Sequence, residues 1–151
     1  IKNLWDKRDI LIVEGANSRS GVGNDLFDNT NSVERIICPS KNAYLKINEI
    51  ESLIEKYAKN KLVLLILGPT AKALAYRLSN KGYQAIDMGH IDSEYEWFKM
   101  GATYKVKLDN KHTAEHNFDE NIILNEDDDY NRQVVVRIEW LFENIKFGIK
   151  N

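Results

Sequence analysis

The stretch Lys61-Leu62-Val63-Leu64-Leu65-Ile66-Leu67-Gly68 decides the fold class. Its six consecutive apolar residues leave no polar face. A strand built from them is covered on both sides, as in the middle of a parallel sheet flanked by helices. Upstream, Asp9-Ile10-Leu11-Ile12-Val13-Glu14-Gly15 is a second compact run, rich in β-branched residues and ended by Gly. Glu34-Arg35-Ile36-Ile37-Cys38-Pro39 is a third, stopped by Pro, and Tyr83-Gln84-Ala85-Ile86-Asp87-Met88-Gly89 is a weaker fourth. Between these runs, Ile50, Leu53, Ile54, Tyr57 and Ala58 form one helical stripe. Asn48 suits its N-cap, with Glu51 three residues on. Pro69-Thr70 opens a further helix with the stripe Ala71, Leu74, Ala75 and Leu78, and Gly82 suits a left-handed C-cap. Strands alternating with helices through short connections predict an α/β, Rossmann-like domain with a mostly parallel sheet of about four strands.

The last third differs in composition. Residues 105–129 are polar and include the acid run Glu126-Asp127-Asp128-Asp129, which reads as solvated surface. Val134, Ile138, Leu141, Phe142 and Ile145 fall at helical spacing and predict a terminal helix packed on the sheet, although Val134-Val135-Val136 also suits a strand. The chain is thus read as a Rossmann-like core over 1–105 and a C-terminal extension over 106–151.

Composition narrows the function classes. The chain has 151 residues, 43% hydrophobic and 29% charged. That is ordinary globular usage, enough for one sizeable core. Twenty-one basic against 23 acidic residues give a formal charge of −2, which argues against nucleic-acid binding by bulk charge. The lone cysteine, Cys38, allows no internal disulfide and points to a reducing, cytoplasmic setting. Its place in an apolar run makes it a structural thiol. The longest apolar run, Leu62 to Leu67, is far short of the ~20 residues that span a bilayer.

In open parallel sheets ligands bind beyond the carboxyl ends of the strands, so the residues after each run are the candidates. After the first come Glu14, Arg19, Gly21, Gly23, Asn24 and Asp25. The glycines permit close backbone approach and an anion-binding nest of N–H groups, and Arg19 adds a forked cation suited to phosphate. The loop is a poor dinucleotide fingerprint, because the third glycine is missing and Asp25 would repel a pyrophosphate. The second run leads to Ser40, Lys41 and Asn42. The third leads to Thr70, a phosphate contact at a helix N-terminus or a plain N-cap. The fourth leads to His90, Asp92, Glu94, Tyr95, Glu96 and Trp97. Asp92-Ser93-Glu94 is the chain's one Asp-x-Glu. Its carboxylates suit a divalent cation or a general base, and equally the positive end of a helix dipole. Asp92 or Glu94 is therefore expected to act as a base or as a metal contact, with His90 beside them at the same rim.

His112-Thr113-Ala114-Glu115-His116 matches the inverted zincin pattern. Its polar flanks and the lack of a later histidine argue against protease chemistry and for a surface or acceptor-facing segment.

Four blocks, in order over roughly residues 5–105, resemble the GT-D-type glycosyltransferases. They are Glu14-Gly15 with Ser18-Arg19 and Gly21 to Phe27; Ile37 to Ala43; Gly68-Pro69-Thr70-Ala71; and Gly89 to Trp97. The family is Rossmann-like, was once known only as a domain of unknown function, and includes enzymes that glucosylate serine-rich adhesins of streptococci. The resemblance implies a UDP-sugar donor, UDP-glucose, a divalent metal such as manganese, and transfer onto a hydroxyl of a glycan already attached to protein. The family's Arg-Phe-Gly-Asp-Gly-Glu stretch, which carries its metal-binding Asp-x-Glu, is absent. The chain also opens Ile1-Lys2-Asn3 without an initiator Met. The resemblance therefore implies the C-terminal part of a longer catalytic domain, with metal ligands outside this chain.

Two other classes compete: a non-catalytic nucleotide-sugar or protein-binding module, and a nicotinamide or S-adenosylmethionine enzyme using the Gly21-Val22-Gly23 loop. The latter would ordinarily carry an acid after the second strand to hold the ribose hydroxyls, and Cys38-Pro39-Ser40 supplies none.

Overall fold

A computed structural model describes residues 1–113 and 120–140. Five strands, β1 (Asp9–Gly15), β2 (Ser32–Cys38), β3 (Leu62–Ile66), β4 (Ala85–Asp87) and β5 (Val134–Arg137), form one sheet in the order β4-β3-β1-β2-β5. Every pairing is parallel. Strand β2 lies on one side of β1 and β3 on the other, so the strand order reverses between β1 and β3. That is where an open α/β sheet leaves a crevice at its carboxyl edge.

The two faces are covered differently. Helices α1 (Ile47–Tyr57) and α2 (Pro69–Asn80) pack Ile50, Ile54, Leu74 and Leu78 against Leu11, Val13, Val63 and Leu65. Each fully buried aliphatic side chain is worth about 1.5–3 kcal/mol. On the other face no helix joins β1 to β2. The connection itself folds down, putting Leu26 and Phe27 on Ile10, Ile12, Leu62 and Leu64 beside the fully buried Trp5. Helix α3 (Ile91–Met100) adds Ile91 and Tyr95 to this layer. Leu62 to Leu67 is buried throughout, as two-sided coverage requires. Cys38 is buried too, and burial with the nearby Glu14 charge pushes its thiol far up.

Two local expectations are corrected. Asn48 is not an N-cap: a 3₁₀ turn over Ala43–Lys46 runs straight into α1, with no side-chain cap. Asn48 instead accepts from Arg77 Nη1 at 2.9 Å, and Glu51 from the same guanidinium at 3.1 Å, tying α1 to α2. The expected terminal helix is a strand over Val134–Arg137. There the valine run pairs with β2, and the short helix α4 (Asp128–Gln133) precedes it. Leu141, Phe142 and Ile145 lie outside the described residues. Within the acid run, Asp127 caps α4 by accepting the Tyr130 N–H at 2.7 Å, and Asp128 and Asp129 stay exposed. Among the described residues no helix is long and apolar enough to cross a membrane.

Candidate active site

A cleft of about 200 Å³ opens at the carboxyl edge of the sheet, over the reversal between β1 and β3. Strand β1 contributes Gly15 and then Asn17 and Ser18. Strand β2 contributes Ser40, and the β3–α2 turn contributes Gly68. Gly68 adopts φ +52, a left-handed backbone that glycine takes without strain, as it turns the chain into α2. His90, which starts α3, and His112 close the cleft from the far side, with ring centroids 6.3 Å apart.

Of the residues singled out from the sequence, Ser40 and His90 line this cleft. Asn42 is exposed beyond Ser40, in a left-handed conformation (φ 56) that starts the 3₁₀ turn. Thr70 is buried in the first turn of α2, its N–H donating to the Leu67 carbonyl.

The loop after β1 turns its polar groups inward. Glu14 is fully buried; its Oε1 pairs with Arg35 Nη1 at 2.6 Å and its Oε2 accepts the Ser20 N–H at 2.8 Å. Arg19 is 6% exposed, donates to the Asn125 carbonyl at 2.6 Å and stacks 5.2 Å from the Tyr130 ring. Its guanidinium thus faces the 120–130 segment rather than the cleft. The N–H of Gly21 donates to Asp92, that of Val22 to the Arg19 carbonyl and that of Asn24 to the Gly21 carbonyl. Gly23 is exposed at φ +77. Asp25 accepts from Lys99, Lys2 and Tyr95, three donors that hold its carboxyl well below the usual range. Asp25 and Tyr95 therefore meet on the flank of the domain.

The acids of α3 separate as well. Asp92 is buried. Its Oδ1 accepts from Gly21 N–H at 2.7 Å and Asn24 Nδ2 at 3.0 Å, and its Oδ2 lies 2.8 Å from Lys111 Nζ. Glu96 accepts from Asn24 Nδ2 at 2.6 Å. Glu94 is exposed on the opposite side of the helix, beside Trp97 and Phe98. Trp97 packs down, its indole N–H donating to the Val106 carbonyl at 2.8 Å. The cleft's own donors are two imidazoles, hydroxyls and an amide, a poor set for a hard divalent cation, which takes carboxylate oxygens. Among the described residues no three His, Cys, Asp or Glu side chains gather as a metal site.

Asn17, Ser18 and His112 also line the cleft, beyond the site residues that the sequence points to. Ser18 was visible as a small polar residue in the first loop. His112 was visible in the histidine pair of its motif, whose later members Ala114, Glu115 and His116 lie outside the described residues.

A parallel α/β sheet with a cleft at its strand-order reversal is the class of domain that fold and geometry define. The chain belongs to the glycosyltransferase GT-D fold family, whose model matches residues 1–116. It is 62% identical over 138 residues to Glycosyltransferase GlyD of Streptococcus pneumoniae serotype 4, covering 91% of this chain and 17% of that protein. It is 57% identical over 138 residues to the Probable glycosyl transferase Gly of Streptococcus gordonii, covering 91% and 20%. A solved structure described as the highly conserved domain of unknown function 1792 with a distinct glycosyltransferase fold superposes with a TM-score of 0.89. It is 63% identical, over 91% of this chain and 50% of that one. A glycosyltransferase structure from Streptococcus sanguinis gives 0.89 at 58% identity, over 91% and 52%. The chain thus spans about half the length of these structures and a fifth or less of the curated relatives.

Proposed function

We propose that this chain is the nucleotide-sugar-binding part of a glycosyltransferase that moves glucose from UDP-glucose onto a glycan hydroxyl of a protein acceptor in the cytoplasm. The observation that carries the reading is the cleft at the β1/β3 reversal, lined by glycine, serine, asparagine and histidine from five separate segments. It occurs in a chain of the GT-D family. In the transfer, the bond from the sugar's anomeric carbon to the diphosphate breaks, the acceptor oxygen takes its place, and the acceptor proton leaves to a base.

In this reading Ser18 and Ser40 hydrogen-bond the nucleotide, Gly15 and Gly68 let it lie close to the backbone, and His90 orients the diphosphate or sugar. Asp92 serves by holding the Gly21 loop against α3, and Arg19 by anchoring the 120–130 segment to the same loop. A divalent cation, manganese by family resemblance, would neutralise charge on the leaving diphosphate; its ligands are assigned outside the described residues, since the carboxylates near the cleft are turned to Lys111, Arg35 and backbone N–H groups.

Calorimetric titration tests the reading: UDP, UDP-glucose, NAD and S-adenosylmethionine, each with and without manganese, against this chain and a longer one. UDP and UDP-glucose binding without NAD or S-adenosylmethionine binding is the expected result. The reverse preference would return the domain to the dinucleotide or methyl-donor class.

A further inference from the structure

The lining of the cleft contains no Asp, Glu, Lys or Arg among the described residues; His90 and His112 are its sole ionisable side chains. Arg19, the cation the sequence offered for phosphate, is bound to Asn125 and Tyr130 instead. The N–H groups of Gly21, Val22 and Asn24 are already donated within the protein. An anion entering this cleft therefore meets two imidazoles, at the edge where α2 and α3 present their positive ends.

The position of His112 is built rather than incidental. Lys111, 1% exposed, is fixed by Asp92 Oδ2 at 2.8 Å and donates to the Val22 carbonyl at 2.8 Å. On the other side, fully buried Thr113 accepts the Leu108 N–H at 2.8 Å through its hydroxyl. Between these anchors the His112 N–H donates to the Asn17 carbonyl at 2.7 Å, setting the ring against the cleft and 6.3 Å from His90.

We propose that His112, with His90, forms a two-imidazole clasp for the diphosphate of the bound nucleotide. This rests on the nucleotide reading of the cleft given above. An imidazole N–H donates to a phosphate oxygen whether the ring is neutral or protonated, and more strongly when protonated. Uridine lacks the groups the clasp holds, and inorganic pyrophosphate carries them without the nucleoside, so the two ligands separate the contributions.

The test is calorimetry on the full chain with UDP, uridine and inorganic pyrophosphate. The proteins are the parent, His90→Ala, His112→Ala and His112→Gln, with thermal melts to verify folding. The parent should bind UDP more tightly than uridine. His112→Ala should lose about tenfold in UDP affinity, the scale of one hydrogen bond to a charged group, and weaken pyrophosphate in parallel, with uridine within about twofold. His112→Gln, which keeps an N–H donor, should recover part of the loss. Equal losses for UDP and uridine would make His112 a packing residue, and unchanged UDP affinity would remove it from the site; either result overturns the clasp while leaving the nucleotide reading standing. A parent that binds neither UDP nor uridine overturns both.

Discussion

Asp92 accepts a hydrogen bond from the Gly21 backbone N–H at 2.7 Å, across 71 residues of sequence. Its other oxygen meets the buried Lys111. The carboxylate therefore joins three pieces: the loop after β1, the start of α3, and the segment that carries His112. Lys111 Nζ also lies 3.5 Å from Glu96 Oε1, on the next turn of the same helix as Asp92.

Asp92→Asn should lower stability by about 3 kcal/mol, the low end for breaking a buried ion pair. Exposed Glu94→Gln should stay within ~0.5 kcal/mol of the parent. Urea unfolding of the two variants reads this directly. If Asp92→Asn instead keeps full stability while transfer by a longer active enzyme drops by about 10²–10⁴, its carboxylate is part of the acid–base chemistry.

The glycines of the first loop should differ in tolerance. A Cβ on Gly21, at φ +82, would sit 2.6 Å from Phe27 Cδ2, and one on Gly23, at φ +77, would meet nothing within 4 Å. Gly23→Ala should cost about 1–2 kcal/mol, the left-handed backbone strain alone. Gly21→Ala should cost more, because Phe27 must also shift within its layer. Equal costs by chemical denaturation would mean that the loop does not pack as described.

This contrast shows which features the sequence makes legible. The two-sided run Leu62 to Leu67 announced a central parallel strand, and the stripes of α1 and α2 announced their buried faces, because each depends on local periodicity. Strand β5 is not legible locally, because a short valine run fits helix or strand alone and its pairing with β2 lies about a hundred positions away in the chain. Distance also hid the orientation of Arg19. The loop residues suggested a phosphate cation, but its partner Asn125 is separated by 106 positions. Glu14 reads as a polar strand end until Arg35, on the neighbouring strand, neutralises it inside the sheet face. Ser40 and His90 could be placed because they directly follow their strands, where the topology alone puts them at the cleft.

Stability should fall at both ends of the pH range. On the acid side, hydrogen bonds from Lys99, Lys2 and Tyr95 hold Asp25 below its ordinary value, and Lys81 with Arg77 does the same for Glu51. Their folded values lie below the unfolded ones, so their contribution is present above about pH 4 and is lost as pH falls through the folded values. On the alkaline side, burial and then the Glu14 charge push Tyr130 up to about 12. Its folded value lies above the unfolded ~10, so this contribution is present below about pH 10 and is lost as pH rises through 12. The Tyr130 hydroxyl is buried without a hydrogen-bond partner among the described residues. Tyr130→Phe should therefore fold as well as the parent and lose less stability between pH 10 and 12. Urea midpoints across pH check both limbs, and an unchanged alkaline limb in Tyr130→Phe would assign it to other groups.

In the proposed function, the cleft at the β1/β3 reversal holds the nucleotide of a sugar donor. Ser40 is exposed at the cleft's edge, so a large side chain there can fill the cleft without entering the core. The most direct measurement is UDP titration of Ser40→Trp beside the parent chain, followed by calorimetry, with thermal melts of both. We expect measurable UDP binding to the parent, loss of at least tenfold in Ser40→Trp, and matching melting temperatures. Undiminished UDP binding by a folded Ser40→Trp would contradict it and place the nucleotide elsewhere.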